Sequence, residues 1–213
     1  MRFDLDPATP QISYKLLAST VTPRPIAWIT SLSPAGVVNA APYSFFNAMG
    51  HTPPTLVVGL LADPERGFKD TARNILDTGE FVVNLVTEDM AEAMNVTCID
   101  APADVSEMTL AGLQGAPAQH VRPPRIAGAP VSLECVTLSS VVTGPHQTIV
   151  IGRVLAVHVA DEYVIDAERA YIDTPKLGLV GRMHGAGWYT RTQDMFRLDR
   201  PVYADFVKAE ADR

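Results

Sequence analysis

Apolar and polar positions alternate with a period of two along much of the chain, which is the pattern of β-strands. The clearest case is IAWITS, followed by the turn residues Ser33-Pro34-Ala35-Gly36 and a second apolar run. This stretch predicts a β-hairpin. Further strands are predicted where valine and isoleucine cluster between Gly, Pro or Asn. The full set is Ala27 to Ser31, Val37 to Ala41, Thr55 to Leu60, Glu80 to Val86, Val131 to Val142 and Thr148 to Ala160.

Three segments have helical spacing instead, and each is only a few turns long. They are Ile12 to Ala18, Asp70 to Thr78 and Thr87 to Asn95. Strands so closely connected favour an antiparallel, barrel-like sheet, with the helices packed on the barrel or capping it. The fold class predicted from the pattern is therefore mainly β with short helices.

The hairpin runs into small residues and a proline where a core strand would place bulky side chains. This continuation is Asn39 to Phe46, or NAAPYSFF. Small side chains allow a flat ligand to approach the backbone, with aromatic walls nearby. The alternative is a hairpin whose continuation packs poorly, and the local sequence does not decide between the two.

Composition and charge narrow the class of protein. The 213 residues contain 17 Lys and Arg against 24 Asp and Glu, a net charge of −7 that argues against nucleic acid or an anionic membrane as the main partner. Two cysteines, Cys98 and Cys135, stand outside any C-x-x-C spacing, and the N-terminus has no leader pattern. We expect a cytoplasmic protein in which both thiols are reduced and pack as small buried side chains. The five histidines lack ligand spacing, so no metal site is expected.

Two short segments carry candidate chemistry. In FKDTARN, a lysine and a hydroxyl stand where a helix is predicted to begin, so Lys69, Thr71 and Arg73 suit a phosphate. The alternative is that Asp70 is an ordinary N-cap. In RMHGAGWY, a cation, an imidazole and two aromatics surround glycines. That loop either closes one edge of a ligand pocket or turns back onto the sheet.

The segment Ala101 to Pro130 is too long for an idle connection, so we expect it to cover a site or a subunit interface. Trp188 to Pro201 is a polar, aromatic tail, and Ala204 to Arg213 is expected to be helical or frayed. We predict one domain over residues 1–200 and a C-terminal tail over residues 201–213.

Taken in order, these segments resemble the flavin reductase-like family of FMN-binding split-barrel proteins, including its longer flavoredoxin-like members. The resemblance covers about Thr20 to Arg191. It rests on RPIAWITS, APYSFF, FKDTARN, EFVVNLV, SEMTLAGL, RPPRIAGAPVSLEC, GPHQTIVIGRVLAVHV and RMHGAGWYTRT. It implies a six-stranded antiparallel split barrel, a homodimer, and a flavin near the subunit interface.

The resemblance also implies roles for individual residues. One set lines the isoalloxazine and ribityl chain, a second lies near the phosphate, and a third lies at the flavin face or the dimer contact. Asn39 is assigned to the cofactor site, whereas Asn84 is expected to be structural. The first set is Arg24, Pro25, Ile26, Ala27, Thr30, Ser31, Ala41, Pro42, Tyr43, Ser44, Phe45 and Phe46; the second is Lys69, Asp70, Thr71 and Asn74; the third is Arg182, His184 and Tyr189.

The function implied is an NAD(P)H-dependent flavin reductase that uses FMN, with FAD as the alternative flavin and NADH or NADPH as the donor. Reduced flavin would then supply an oxygenase or another acceptor. No catalytic side chain is required, because the cofactors bring the reactive atoms. The alternative is a flavoredoxin-like electron-transfer flavoprotein whose tightly bound FMN is reduced by a protein partner. RMHGAGWY departs from the shorter two-component reductases, which weakens any transfer of substrate specificity.

Overall fold

The computed structural model describes residues 1–63, 67–185 and 187–203. Its main sheet has eight antiparallel strands: β1 Ala27–Leu32, β2 Val38–Tyr43, β3 Phe46–His51, β4 Pro54–Asp63, β5 Gly67–Phe68, β6 Glu80–Asn84, β9 Val131–Gly144 and β10 Gln147–Val159. Seven of them follow the order β2-β1-β6-β9-β10-β4-β3, and β5 pairs with β4. Three two-stranded sheets pair β7 Gly115–Ala116 with β8 Arg125–Ile126, β11 Val164–Asp166 with β12 Tyr171–Ile172, and β13 Val180–Arg182 with β14 Tyr189–Arg191.

The main sheet curls because its two edge strands are consecutive in the chain. Only Ser44 and Phe45 separate β2, at one edge, from β3, at the other. The Phe45 carbonyl accepts a hydrogen bond from the Gly59 N–H of β4 at 2.7 Å. A Cβ at Gly59 would lie 3.2 Å from the Phe45 Cβ, so glycine permits this close approach. The curled antiparallel sheet is the split-barrel fold that the resemblance implies.

Among the residues described, four short helices accompany the sheet: α1 Pro10–Thr20, α2 Asp70–Thr78, α3 Ala91–Val96 and α4 Glu107–Leu110. A 3₁₀ turn covers Asp161–Tyr163. None of the described helices is long and apolar enough to cross a membrane.

Strand β1 is buried on both faces, so the protein has two hydrophobic clusters. Ile29 packs inside the barrel with buried residues such as Phe81 and Val150. Trp28 points the other way and packs with residues that include Met94 and Ile126. The indole N–H of Trp28 donates to the Thr97 hydroxyl at 2.9 Å, which pairs its one polar group inside the second cluster.

Most predicted elements are confirmed, with some shifted ends. Helix α2 has the predicted bounds. The helix predicted over Thr87 to Asn95 is too long at its start, since Thr87 is bridged to Leu179 and the helix begins only at Ala91. The predicted count of six strands is too low, because Phe46–His51 and Gly67–Phe68 also join the main sheet. The prediction for Ala204 to Arg213 lies outside the described residues.

The long segment of residues 101–130 is fastened to the sheet by side chains buried in strands. The side-chain oxygen of Asn84 accepts from the Ile126 N–H at 3.0 Å. The Glu134 carboxylate accepts from the N–H groups of Gln119 and His120 at 2.9 and 2.6 Å, and it also pairs with the His158 ring. The segment therefore covers the outer face of the sheet.

Glu134 gives a prediction about stability and pH. Burial alone would raise its pKa, but the hydrogen bonds from Gln119, His120 and His158 outweigh burial, and the pKa lies below its ordinary value. A carboxylate of this kind stabilises the fold at pH values above its pKa in the unfolded chain. That contribution is lost as the pH falls through the folded pKa. We expect Glu134→Gln to lower the free energy of unfolding by about 1 kcal/mol at pH 7.

Urea unfolding at pH 7 and at progressively lower pH measures this effect. The difference between Glu134→Gln and wild type should shrink as the pH falls through the carboxylate range. Glu92→Gln, at an exposed helical position, is the matched control and should follow the wild type. A difference that stays constant at every pH would contradict the prediction.

Candidate functional site

A cleft of about 440 Å³ opens where the corner between β2 and β3 meets the start of α2. Segment 97–107 forms another wall. The sequence-predicted residues that line the cleft are Asn39, Ala41, Pro42, Tyr43, Ser44, Phe45, Lys69, Asp70 and Thr71. Its other walls include Tyr14, Gly59, Leu61, Asp63, Phe68, Arg73, Thr97, Cys98, Asp100 and Glu107.

The N-terminus of α2 lines the cleft without a side-chain cap. Lys69 is the N-cap residue and Asp70 the first helical residue, so the alternative that Asp70 is the N-cap is wrong. The first N–H groups of a helix have no intrahelical partner, and together they carry the positive end of its dipole. The Lys69 ammonium lies beside this helix start and is paired with Asp100 at 2.8 Å. An anionic group in the cleft would therefore meet a cation and a helix N-terminus together.

The corner between β2 and β3 contributes backbone donors. The N–H groups of Ser44 and Phe45 have no hydrogen-bond partner within the described residues. Pro42 has no N–H to offer. The small residues of this corner therefore leave two amides available to a ligand, with the Phe45 ring beside them and Tyr14 6.0 Å from that ring.

A buried polar network connects the cleft to the strands beneath it. The Thr71 hydroxyl donates to the side-chain oxygen of Asn39 at 2.5 Å. Asn74 donates to the Ser31 hydroxyl at 3.1 Å, and Ser31 lies 3.4 Å from the same Asn39 oxygen. Asn39 and Thr71 line the cleft, whereas Ser31 and Asn74 do not. Through this network, Ser31 and Asn74 position Asn39 and, through it, Thr71.

Tyr43 and Glu107, both in the cleft wall, have raised pKa values. Burial raises the pKa of Tyr43 to about 12; a hydrogen bond with Thr71 opposes that rise, and nearby carboxylates add to it. Burial also raises the pKa of Glu107, against hydrogen bonds from its own backbone N–H, Ala40 and Asn39. Sequence reasoning missed Glu107 as a cleft residue. It stands in the SEMTLAGL motif, but as the first acid of a short helix it gives no local sign of burial.

Arg24 lies behind the cleft wall and does not line the cleft. Its guanidinium donates to the carbonyls of Ala18 at 2.6 Å, Val21 at 2.9 Å and Met183 at 2.8 Å, and to the Ser44 hydroxyl at 3.3 Å. Burial lowers its pKa. These contacts make Arg24 a clamp between α1, the Met183 loop and the corner of the cleft.

The structure does not bring the remaining predicted residues to the cleft. Ile26, Ala27 and Thr30 are buried in β1 or beside it, Pro25 is exposed, and Phe46 packs against the core. The third predicted set lies on the hairpin of β13 and β14, where the Arg182 guanidinium stacks 4.7 Å from the Tyr189 ring. The backbone of Arg182 pairs with that of Arg24, so this hairpin turns back onto the chain beside β1. His184 lies 5.9 Å from the Trp188 ring.

The two cysteines differ in their surroundings. Cys135 is buried in β9, as expected, whereas Cys98 is exposed at the rim of the cleft, so the expectation that both are buried is wrong for Cys98. Residues 97–101 line the cleft, and burial of the Cys98 sulfur raises the pKa of the thiol. Within the described ranges, no group of three or more potential ligands could hold a metal ion.

Comparison with known proteins agrees with this fold. The Flavin reductase like domain family matches residues 19–174. An uncharacterized protein of Deinococcus radiodurans is 40% identical over 208 residues, which covers 96% of this chain and 91% of the relative.

Two solved structures are also similar. Nitrilotriacetate monooxygenase component B from Bacillus cereus is 32% identical with a TM-score of 0.85, covering 93% of this chain and 99% of its own. The 2-nitrobenzoate 2-nitroreductase NbaA of Pseudomonas fluorescens is 34% identical with a TM-score of 0.82, covering 94% and 98%. This chain belongs to the flavin reductase-like family of split-barrel, flavin-related oxidoreductases.

Proposed function

We propose that the protein is an NAD(P)H-dependent flavin reductase whose cleft binds FMN. The observation that carries the proposal is that one cleft contains two groups of donors. One is Lys69 with the N-terminus of α2, which has no side-chain cap, and the other is the Ser44 and Phe45 amides, which have no partner among the described residues. The first pair suits a phosphate, and the second suits the polar edge of a planar ring. FMN carries both groups on one molecule.

The residues present fit FMN in their chemistry. Lys69 and the first backbone amides of α2, including that of Thr71, would hold the phosphate. Ser44 and Phe45 would donate to the ring edge, while Tyr43 and the Phe45 ring would shield it from water. When bound, the flavin supplies the acceptor for a hydride from the nicotinamide. The protein's part is to bind, orient and exclude water.

The acceptor of the electrons is a further part of the proposal. Similarity to a protein named nitrilotriacetate monooxygenase component B supports delivery of reduced flavin to an oxygenase. Measurement will identify the flavin, FMN or FAD, and the donor, NADH or NADPH. We also propose a cytoplasmic location.

An absorbance spectrum of the purified protein with added FMN or FAD, followed by anaerobic NADH or NADPH, tests the function. We expect flavin binding and bleaching of the flavin band by at least one nicotinamide nucleotide. Flavin that binds but is bleached only by a reduced redox protein would favour the electron-transfer flavoprotein instead. A protein that neither binds flavin nor catalyses its reduction would refute the proposal. Nitrobenzoates added after reduction would reveal whether they are direct acceptors.

We further propose a homodimer, supported by apolar surface on this chain. Residues 193–203, the C-terminal arm, expose Phe196 at 86% and Leu198 at 83%. Arg197 pairs with Asp199 at 2.8 Å within the arm. Val136 is the last residue of β9 that pairs with β6, but β9 continues to Gly144. The part of β9 from Leu138 to Gly144 contains no charged residue. An uncharged strand edge readily pairs with another chain.

Light scattering after size exclusion measures the oligomeric state. We expect a dimer for the wild type and a larger monomer fraction for Phe196→Ser combined with Leu198→Ser. Arg2→Ala, an exposed substitution at the other terminus, is the control and should leave the dimer intact. A monomeric wild type would refute the dimer, and a fully dimeric double variant would remove the arm from the interface.

A further inference from the structure

Glu107 places a buried carboxylate in the cleft wall without a basic partner. Its side chain is 4% exposed. One carboxylate oxygen, Oε2, accepts from the Asn39 side-chain amide at 2.9 Å and from the Ala40 N–H at 3.2 Å. No ion pair within the described ranges includes it. The groups in the described part of the chain that donate hydrogen bonds to Glu107 are therefore uncharged.

Asp70 and Asp100, two other acids that line the cleft, are placed differently. Asp100 pairs with Lys69 at 2.8 Å, and Asp70 pairs with Arg73 at 2.5 Å. Each of these pairs is close to neutral as a unit. The hydrogen-bond partners described for Glu107 are all donors, an arrangement that favours the ionised carboxylate and opposes the burial that raises its pKa. The charge of Glu107 therefore acts on the cleft without the neutralising partner that Asp70 and Asp100 have.

A fixed negative charge affects the two oxidation states of a flavin unequally. Hydride transfer from a nicotinamide brings two electrons and one proton to the ring, and the nicotinamide leaves oxidised. The reduced ring thus carries one more negative charge than the oxidised ring until a second proton binds. A buried carboxylate in the same cleft repels that added charge, and the low dielectric of a partly closed site strengthens the repulsion.

We propose that Glu107 makes the cleft selective for the oxidation state of flavin, so that it binds oxidised flavin more tightly than reduced flavin. The inference rests on the proposed flavin reductase function and names a residue that regulates ligand exchange at that site. A reductase that supplies reduced flavin to a separate acceptor has to release it. Glu107 would weaken the hold on the product without weakening the hold on the substrate as much.

The test compares the dissociation constants of oxidised FMN and of dithionite-reduced FMN, both measured anaerobically at neutral pH. Glu107→Gln removes the charge but retains an oxygen that accepts from Asn39 and Ala40. We expect the ratio of the reduced to the oxidised dissociation constant to exceed one in the wild type. In Glu107→Gln the ratio should fall by about fivefold. The midpoint potential of the bound flavin should rise correspondingly.

Glu88→Gln is the matched control, because Glu88 is an exposed carboxylate paired with Arg191 outside the cleft lining. It should keep the wild-type ratio. If this ratio of dissociation constants is equal in the wild type and Glu107→Gln, the role assigned to Glu107 is wrong, while the flavin reductase function is unaffected. A wild type that binds reduced flavin as tightly as oxidised flavin would overturn that role without any variant. A wild type that binds neither form would refute the flavin reductase function itself.

Discussion

Replacing Lys69 with alanine is expected to weaken FMN binding by about 1 to 3 kcal/mol, the range for a hydrogen bond between charged groups. Lys69 is the N-cap of α2 and lines the cleft, so its ammonium stands beside the amides that a phosphate would meet. Riboflavin, which lacks the phosphate, should bind wild type and Lys69→Ala equally. Fluorescence titration with both flavins measures the difference. Equal FMN affinity in the two proteins would remove Lys69 from the phosphate site.

Asp100→Asn provides the opposing variant. Asp100 now holds the Lys69 ammonium at 2.8 Å, and both side chains are about half exposed. A surface ion pair contributes little to stability, so breaking it should leave the fold intact. The substitution frees the cation and removes a carboxylate from the cleft rim, so we expect tighter FMN binding. Weaker binding in Asp100→Asn would indicate that the pair positions the segment of residues 97–101 rather than competing with the phosphate.

The parts of the site that the sequence predicts are those defined by local signals. The turn at Ser33 to Gly36 and the alternation of β1 specify the hairpin, and the apolar spacing after Lys69 specifies α2. The second strand of the hairpin ends at the cleft, and α2 begins there. Asn39, Ala41 to Phe45 and Lys69 to Thr71 line it for that reason. Neighbouring residues of the same motifs point elsewhere: Ala27 and Thr30 are buried, because strands place alternate side chains on opposite faces and β1 is covered on both.

The parts that the sequence does not predict depend on distant partners. Glu107 meets Ala40 across 67 residues, and no local pattern marks the burial of a helix-starting acid. Strand β3 is mostly exposed and contains Asn47, Ala48 and Gly50, so it lacks the apolar alternation of the other strands. Its pairing with β4 is what makes it a strand.

Asn84 shows how a structural prediction from the sequence can be tested. It is fully buried in β6. Its amide donates to the Trp28 carbonyl at 3.0 Å, while its oxygen accepts from the Ile126 N–H at 3.0 Å and the Ser132 hydroxyl at 2.8 Å. One side chain thus joins β1, β9 and the segment of residues 101–130, and the expectation that it bonds strand backbone is confirmed.

We expect Asn84→Ala to lower the free energy of unfolding by about 3 to 5 kcal/mol. The substitution removes the Asn84 partner of three buried polar groups, and each such loss costs about 1 to 3 kcal/mol before the surrounding structure relaxes. Ser132→Ala removes only one of the three bonds and should cost about 1 kcal/mol. Urea unfolding of the two variants and the wild type measures both losses. A loss in Asn84→Ala no larger than that in Ser132→Ala would contradict the central role of this side chain.

Asn84→Ala should also loosen the cleft wall, because Asn84 bonds the segment of residues 101–130 that contributes to it. Ile126 belongs to the segment that also carries Ala101, Ala103 and Glu107 to the cleft wall. Without Asn84, the Ile126 N–H loses its acceptor, so amide hydrogen exchange should accelerate at Ile126 and then along this segment, ahead of global unfolding. FMN affinity should fall in Asn84→Ala and hold in Ser132→Ala, which keeps the bond to Ile126. Exchange that accelerates uniformly over the whole chain would show that Asn84 stabilises the barrel without specifically fastening the cleft wall.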